Sequence, residues 1–163
     1  MYFIVLRQYD TSIVPLNAKI AMFTTNIMSG GADLDSNSVL FPMSESKKVL
    51  IIDDEADICL LLSGLLKRMG YQTTCAHFLE EGRQHLSRQS FDAIFLDLSL
   101  PDGVGFDLLS YIRANGNHTK VIMISAFDGL AERNRATQEG ADYFIGKPFN
   151  RKTIEHALQS VHL

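Results

Sequence analysis

Acidic, hydroxyl and lysine side chains follow short apolar runs at four places in this chain of 163 residues. Asp53 and Asp54 follow the first run, and Asp97, Ser125 and Lys147 follow the three later ones. Three carboxylates brought together repel one another, which favours a bound cation such as Mg²⁺. A carboxylate beside that cation can attack a phosphoryl group, while a lysine neutralises charge from the other side. If the fold gathers these residues, they predict phosphoryl transfer to an aspartate.

Strand-like and helix-like segments alternate from Lys47 onward, which predicts an α/β fold with a parallel sheet and helices on both faces. Ligands of such open sheets bind beyond the carboxyl ends of the strands, where all the residues above fall. The helix near residue 133 has few apolar residues and is predicted to be a solvated face. The predicted strands are residues 49–52, 71–76, 91–96, 121–124 and 143–145, and the predicted helices are residues 58–69, 79–88, 106–115, 130–139 and 153–161.

Four motifs, in order along the chain, resemble those of response regulator receiver domains of two-component signalling. They are Val-Leu-Ile-Ile-Asp53-Asp54-Glu, Ile-Phe-Leu-Asp97-Leu-Ser-Leu-Pro-Asp-Gly, Ile-Ser125-Ala126 and Gly-Lys147-Pro148-Phe. The resemblance covers residues 47–163. It implies the flavodoxin-like (βα)5 doubly wound fold with a five-stranded parallel sheet.

The resemblance also implies a metal and phosphoryl site. Asp97 would be the phosphoacceptor and a ligand of Mg²⁺, or of Mn²⁺ in its place. Asp54 would ligate the metal directly, and Asp53 directly or through water. The backbone carbonyl of Ser99 would complete the metal site. Lys147 would pair with Asp97 and then with the phosphoryl group.

A conformational switch is the second implication of the resemblance. Ser125 would be the switch hydroxyl, and Ala126 would leave room for the phosphoryl group. Phe144 would be the switch aromatic that turns inward, although it lacks the hydroxyl that a tyrosine would offer a partner. The peptide bond between Lys147 and Pro148 is a candidate for the cis form.

The partners implied are proteins. A sensor histidine kinase or a histidine phosphotransfer protein would donate the phosphoryl group from phosphohistidine. The fourth helix, fifth strand and fifth helix would contact a downstream target, with the chain a monomer or a phosphorylation-dependent dimer. Such a stand-alone receiver would be a signalling protein rather than an enzyme, limited to its own phosphotransfer and autodephosphorylation.

Composition indicates which binding partners and which cellular compartment to expect. The chain is 46% hydrophobic and 21% charged with a formal net charge of −4, which does not favour nucleic-acid binding. No apolar run is long enough to span a bilayer. Its two cysteines, Cys59 and Cys75, are expected to be separate buried residues in a reducing cytoplasm.

Residues 1–46 are weakly patterned and end in a polar stretch that contains glycine, which predicts a weakly structured extension and linker before a receiver domain at 47–163. We expect this extension to be dispensable, with Met43 a natural start of the compact domain.

Two other functions stay open at this point. An aspartate-nucleophile phosphatase would use the same residue types, but Asp97 is followed by Leu98 and Ser99 rather than by a second acid. A pseudo-receiver that only binds proteins would not need the full set of site residues.

Overall fold

Residues 46–163 are described by a computed structural model of the chain. One sheet of five parallel strands confirms the predicted α/β architecture. Across the sheet, its strands follow in the order Gln72–Ala76, Lys48–Ile52, Ala93–Asp97, Lys120–Ser125 and Tyr143–Gly146. The strands are β1 (Lys48–Ile52), β2 (Gln72–Ala76), β3 (Ala93–Asp97), β4 (Ser99–Leu100), β5 (Gly103–Val104), β6 (Lys120–Ser125) and β7 (Tyr143–Gly146). The helices are α1 (Ala56–Arg68), α2 (Leu79–Arg88), α3 (Gly105–Ala114), α4 (Leu130–Gln138) and α5 (Arg151–Ser160).

Each face of the sheet carries its own apolar core, because successive strand residues point to opposite faces. Ile51 and Phe95 pack with α1 and α5 on one face. Ile52 and Leu96 pack with α2 and α3 on the other, together with Ala136 of α4. The central strand β3 is buried along its whole length, as expected for a strand covered on both faces. Full burial of one such side chain contributes about 1.5–3 kcal/mol.

A small antiparallel ribbon follows β3 at the carboxyl edge of the sheet. The turn predicted around Pro101 is present, and β4 and β5 pair on either side of it. The Asp102 carboxylate accepts hydrogen bonds from the backbone N–H groups of Leu79, at 2.9 Å, and Glu80, at 3.1 Å. These are among the first N–H groups of α2, which lack partners within the helix. The ribbon is therefore tied directly to the start of α2.

The two cysteines correct the sequence-based expectation. Cys59 of α1 and Cys75 of β2 form a disulfide, with their Cα atoms 6.3 Å apart. Cys59 is buried, as expected, but Cys75 is only partly buried. The pairing arises because α1 crosses back over β2, which places two residues 16 positions apart in contact. A count of cysteines could not reveal that crossing.

None of the helices within residues 46–163 is both long and apolar enough to cross a membrane. Except for Ser46, the predicted extension over residues 1–46 falls outside the described residues.

Candidate functional site

The predicted residues come together at the carboxyl ends of four neighbouring strands, β1, β3, β6 and β7. Asp53 directly follows β1, Asp97 ends β3, Ser125 ends β6 and Lys147 directly follows β7. Asp97 lies in register with Ile124, and the N–H of Lys147 donates to the carbonyl of Ser125 at 2.7 Å. The sheet edge therefore assembles groups that are far apart in the sequence.

Lys147 is the centre of the site. Its Nζ atom lies 2.8 Å from Asp97 Oδ2, 2.9 Å from Asp53 Oδ2 and 2.9 Å from Glu55 Oε1. Burial alone would lower the pKa of Lys147, but its contacts with Asp97, Asp53 and Glu55 outweigh burial and raise that pKa above its usual value. The lysine therefore carries a fixed positive charge against three carboxylates.

Asp53 is fully buried. Burial raises the pKa of its carboxyl above the usual value, and the contacts with Lys147 and with the Glu55 backbone N–H offset this only in part. Its Oδ1 accepts that N–H at 3.0 Å. Its Oδ2 has no aligned hydrogen-bond donor among the described residues, although Lys147 lies close to it. A buried oxygen of this kind suits a cation ligand.

Oxygens of Asp53, Glu55 and Asp97 all lie within 4.8 Å of one another. That donor set fits Mg²⁺, which binds hard oxygen ligands and retains waters. Asp54, predicted as the direct ligand, is exposed and lies outside this group of three. Glu55 was not predicted, and its place right after the acidic pair is the signal that could have found it. The ligand role of Asp54 stays a prediction.

Asp97 is held on both carboxylate oxygens. Oδ2 accepts from Lys147 at 2.8 Å and Oδ1 accepts from the Ser99 backbone N–H at 3.2 Å. Asp97 is 6% exposed, so solvent and ligands reach it only through a small opening at the sheet edge. Gly105 packs on the Asp97 backbone so closely that a Cβ atom there would overlap the carbonyl oxygen. Ser99 itself is exposed, in β4.

The predicted switch hydroxyl is buried. Ser125 is 1% exposed, and its Oγ accepts the backbone N–H of Phe127 at 2.9 Å. Ala126, between them, is exposed, and its role beside a phosphoryl group stays a prediction. The Lys147–Pro148 peptide bond is cis.

Phe144 is buried in β7 and is covered by Arg133 of α4. The Arg133 guanidinium carbon lies 5.2 Å from the centre of the Phe144 ring, and Nη1 donates to the Phe144 carbonyl at 3.4 Å. Nε donates to Asp128 Oδ1 at 2.5 Å. The hydrogen bond with Arg133 lowers the pKa of Asp128, and the same bond raises that of Arg133. Ala136 is the one buried residue of α4, in keeping with the predicted solvated face, and Arg133 is partly exposed while it covers the Phe144 ring.

Comparison with known proteins agrees with this geometry. The family model of the response regulator receiver domain matches residues 49–159. The chain is 42% identical over 117 residues to the response regulator protein PilR of Pseudomonas aeruginosa, covering 69% of this chain and 26% of PilR. It is 35% identical over 124 residues to a Rhizobium etli protein named "Probable chemotaxis protein CheY", covering 73% of this chain and 95% of that protein. The chain thus spans about a quarter of PilR.

Solved structures show the same fold. The receiver domain of HemR from Leptospira biflexa superposes with a TM-score of 0.67 at 30% identity, over 72% of this chain and 96% of that one. The chemotaxis response regulator CheY4 of Vibrio cholerae has a TM-score of 0.67 at 27% identity, over 71% and 98%. With the family match over residues 49–159, the chain belongs to the response regulator receiver domain family of two-component systems.

Proposed function

We propose that Asp97 accepts a phosphoryl group from a phosphohistidine on a sensor kinase or phosphotransfer protein, and that this changes the protein-binding surface of the domain. The observation that carries the proposal is the position of Lys147, whose ammonium contacts Asp97, Asp53 and Glu55 at once. A cation in that position lowers the cost of bringing a phosphoryl group to a crowded set of carboxylates.

The residues divide the chemistry among them. Asp97 Oδ2 or Oδ1 attacks phosphorus, the bond to the donor imidazole nitrogen breaks, and that nitrogen leaves with the electron pair. Asp53, Asp97 and either Glu55 or Asp54 would hold Mg²⁺, with the Ser99 carbonyl as a further ligand. When bound, the metal would neutralise charge on the transferred oxygens. Lys147 holds the nucleophile in place and then pairs with the phosphoryl oxygens.

Exposed apolar side chains surround this edge of the sheet and support docking of a protein donor there. Leu60 and Leu61 lie on α1, Phe78 follows β2, and Phe127 and Leu130 follow β6. Leu60 is 74% exposed and Leu130 is 80% exposed. Apolar groups gathered around a polar site are typical of protein interaction surfaces.

We place the output on the surface formed by α4, β7 and α5. Ser125 and Lys147 would move toward the bound phosphoryl group, and Phe144 links them to that surface through β7. The domain would act through a downstream protein, without catalysing turnover of a separate substrate. A single phosphoryl group can select between two conformations only if they are close in free energy.

Labelled acetyl phosphate with Mg²⁺ tests the proposal without a known kinase. The wild type should take up label, and Asp97→Asn should take up almost none. Asp107→Asn, an exposed acid on α3, is the matched control and should label like the wild type. Labelling of Asp97→Asn at the wild-type rate would remove Asp97 as the acceptor. Labelling in none of the proteins, with no response to beryllofluoride, would favour the pseudo-receiver, and repeated hydrolysis of a phosphomonoester would favour the phosphatase.

A further inference from the structure

The Phe144 ring is enclosed by contacts from two other elements. Arg133 of α4 lies over the ring and also donates to the Phe144 carbonyl. Asp128, in the loop after β6, holds Arg133 through Nε. Arg133 thus contacts both the ring and the backbone carbonyl of Phe144, and Asp128 positions Arg133.

The surroundings of Asp128 leave room for its contact with Arg133. Asp128 lies against Gly146, two residues after Phe144, and a Cβ atom on Gly146 would overlap the Asp128 carboxylate. The absence of a side chain at Gly146 therefore lets Asp128 reach Arg133 across the end of β7. Four residues from three successive elements take part, so the contact is built by the fold rather than by chance pairing on one helix.

The Phe144 ring and the proposed switch hydroxyl lie on the same face of neighbouring strands. Phe144 pairs in register with Met123, and Ser125 is the next residue of β6 on the same face of the sheet. Motion of Ser125 away from the site, along that face, would take its side chain toward the ring. A buried ring favours the conformation in which Ser125 stays at the sheet edge.

We propose that Arg133, held by Asp128, is the positioning residue that keeps the Phe144 ring buried beside Ser125, so that α4 sets the population of the phosphoryl-accepting conformation. The position of the ring stands on the contacts above, whereas its effect on phosphoryl acceptance rests on the proposed function of Asp97. An ion pair with both partners 42% exposed and one cation–π contact together change an equilibrium constant by about threefold to thirtyfold. That range is enough to bias a two-state domain.

Arg135 provides a matched control on the same helix. Its guanidinium carbon lies 4.1 Å from the centre of the Phe106 ring, and it pairs with Glu139 at 2.7 Å. Arg133→Ala and Arg135→Ala therefore remove the same side chain, the same kind of ring contact and one ion pair. They differ in whether the ring belongs to the proposed switch, and Arg133 also has the long hydrogen bond to the Phe144 carbonyl.

The test uses the full chain and two readouts. Carbon-13 NMR with a soluble relaxation agent measures exposure of the Phe144 ring, and titration with beryllofluoride and Mg²⁺ measures affinity for a phosphoryl mimic. We expect Arg133→Ala to expose the ring and to weaken beryllofluoride binding about threefold to thirtyfold. Asp128→Asn should change both in the same direction by less, since Arg133 keeps its ring contact. Arg135→Ala should leave both at wild-type values.

The positioning of the Phe144 ring and its effect on phosphoryl acceptance can be contradicted separately. A Phe144 ring as protected in Arg133→Ala and Asp128→Asn as in the wild type would overturn the positioning role. An exposed ring with unchanged beryllofluoride affinity would overturn the link to phosphoryl acceptance. Failure of the wild type itself to bind beryllofluoride would count against the proposed function and that link, while ring exposure in Arg133→Ala would still support the positioning role. Thermal unfolding of each variant shows whether it is folded.

Discussion

Glu55 and Lys147 are 92 residues apart in the sequence, and their side chains meet at 2.9 Å beside Asp97. Glu55 precedes α1 and remains largely exposed, whereas Lys147 is mostly buried. The ammonium is thus shared between a buried pair of acids and one acid that faces solvent. A metal entering the group of three would take Glu55 from the lysine or share it.

Glu55→Gln removes the exposed charge from this group and keeps the side-chain length. We expect Mg²⁺ to bind about tenfold more weakly, the low end of the loss seen when groups around a metal are removed. Calorimetric titration of Mg²⁺ measures the effect. Asp54→Asn is the informative comparison, since the resemblance assigns the direct ligand role to Asp54. A much larger loss in Asp54→Asn than in Glu55→Gln would show that Asp54 is the principal ligand and Glu55 is not.

Asp53→Asn is expected to stabilise the fold at neutral pH while it abolishes metal binding. Because burial raises the folded pKa of Asp53 above 3.8, ionisation of this carboxyl destabilises the fold increasingly as pH rises from 3.8 through the folded pKa. The variant escapes that penalty and keeps an oxygen to accept the Glu55 N–H. The gain should be about 1 kcal/mol, the common scale of one substitution.

Urea unfolding of the wild type and Asp53→Asn between about pH 8 and pH 4 measures this gain. The difference in free energy of unfolding should be largest at the alkaline end and shrink toward the acid end, where Asp53 becomes neutral. Asp54→Asn, at an exposed neighbouring acid, is the matched control for removal of one carboxylate charge. A wild type more stable than Asp53→Asn at neutral pH would contradict the expectation.

Two glycine-to-alanine changes should have opposite effects. In Gly105→Ala the new methyl group meets the Asp97 carbonyl, so the backbone of Asp97, the proposed phosphoacceptor, must shift. We expect a loss of about 1–3 kcal/mol and slower labelling from acetyl phosphate. Gly64 lies on the exposed side of α1 with open space around it, and alanine there should add up to about 1 kcal/mol. Denaturant unfolding gives both values, and equal stability of the two variants would contradict the packing argument.

The cysteine pair predicts that protein kept from reductants has no reactive thiol. Thiol titration in denaturant should count none before reduction and two afterwards, since the chain has two cysteines. Reduction should lower the free energy of unfolding by about 3 kcal/mol, as expected for a loop of this length. The double variant Cys59→Ser, Cys75→Ser should be insensitive to reductant. Two free thiols before reduction would contradict the pairing.

Strand ends were the most predictable part of this molecule. Continuous apolar runs locate β1, β3, β6 and β7, and the rule that parallel strands end at one edge then places Asp53, Asp97 and Lys147 together. The helix at residues 79–88 was predicted with the bounds that the structure has, Leu79–Arg88. Each of these inferences depends on the spacing of apolar residues and on the order of the segments, and both can be seen directly in the sequence.

Side-chain direction was less predictable. Three successive acids do not indicate which of them contacts the lysine, because that depends on the backbone conformation after β1. Asp53 and Glu55 contact Lys147, whereas Asp54 lies outside that group. The ring contact of Arg133 depends on how α4 lies over β7, and the pairing of Cys59 depends on how α1 lies over β2. Such crossings are set by packing, so residue type and spacing cannot provide them.

The gathering of the site at the ends of β1, β3, β6 and β7 has a consequence for synthesis. A ribosome delivers Asp53 and Asp97 long before Lys147, which lies 50 residues beyond Asp97. A nascent chain that lacks β7 has its acids without their cation, and domains generally fold as whole units. The proposed phosphoryl acceptance should therefore appear only when the last strand joins the sheet, and incomplete chains should not accept a phosphoryl group.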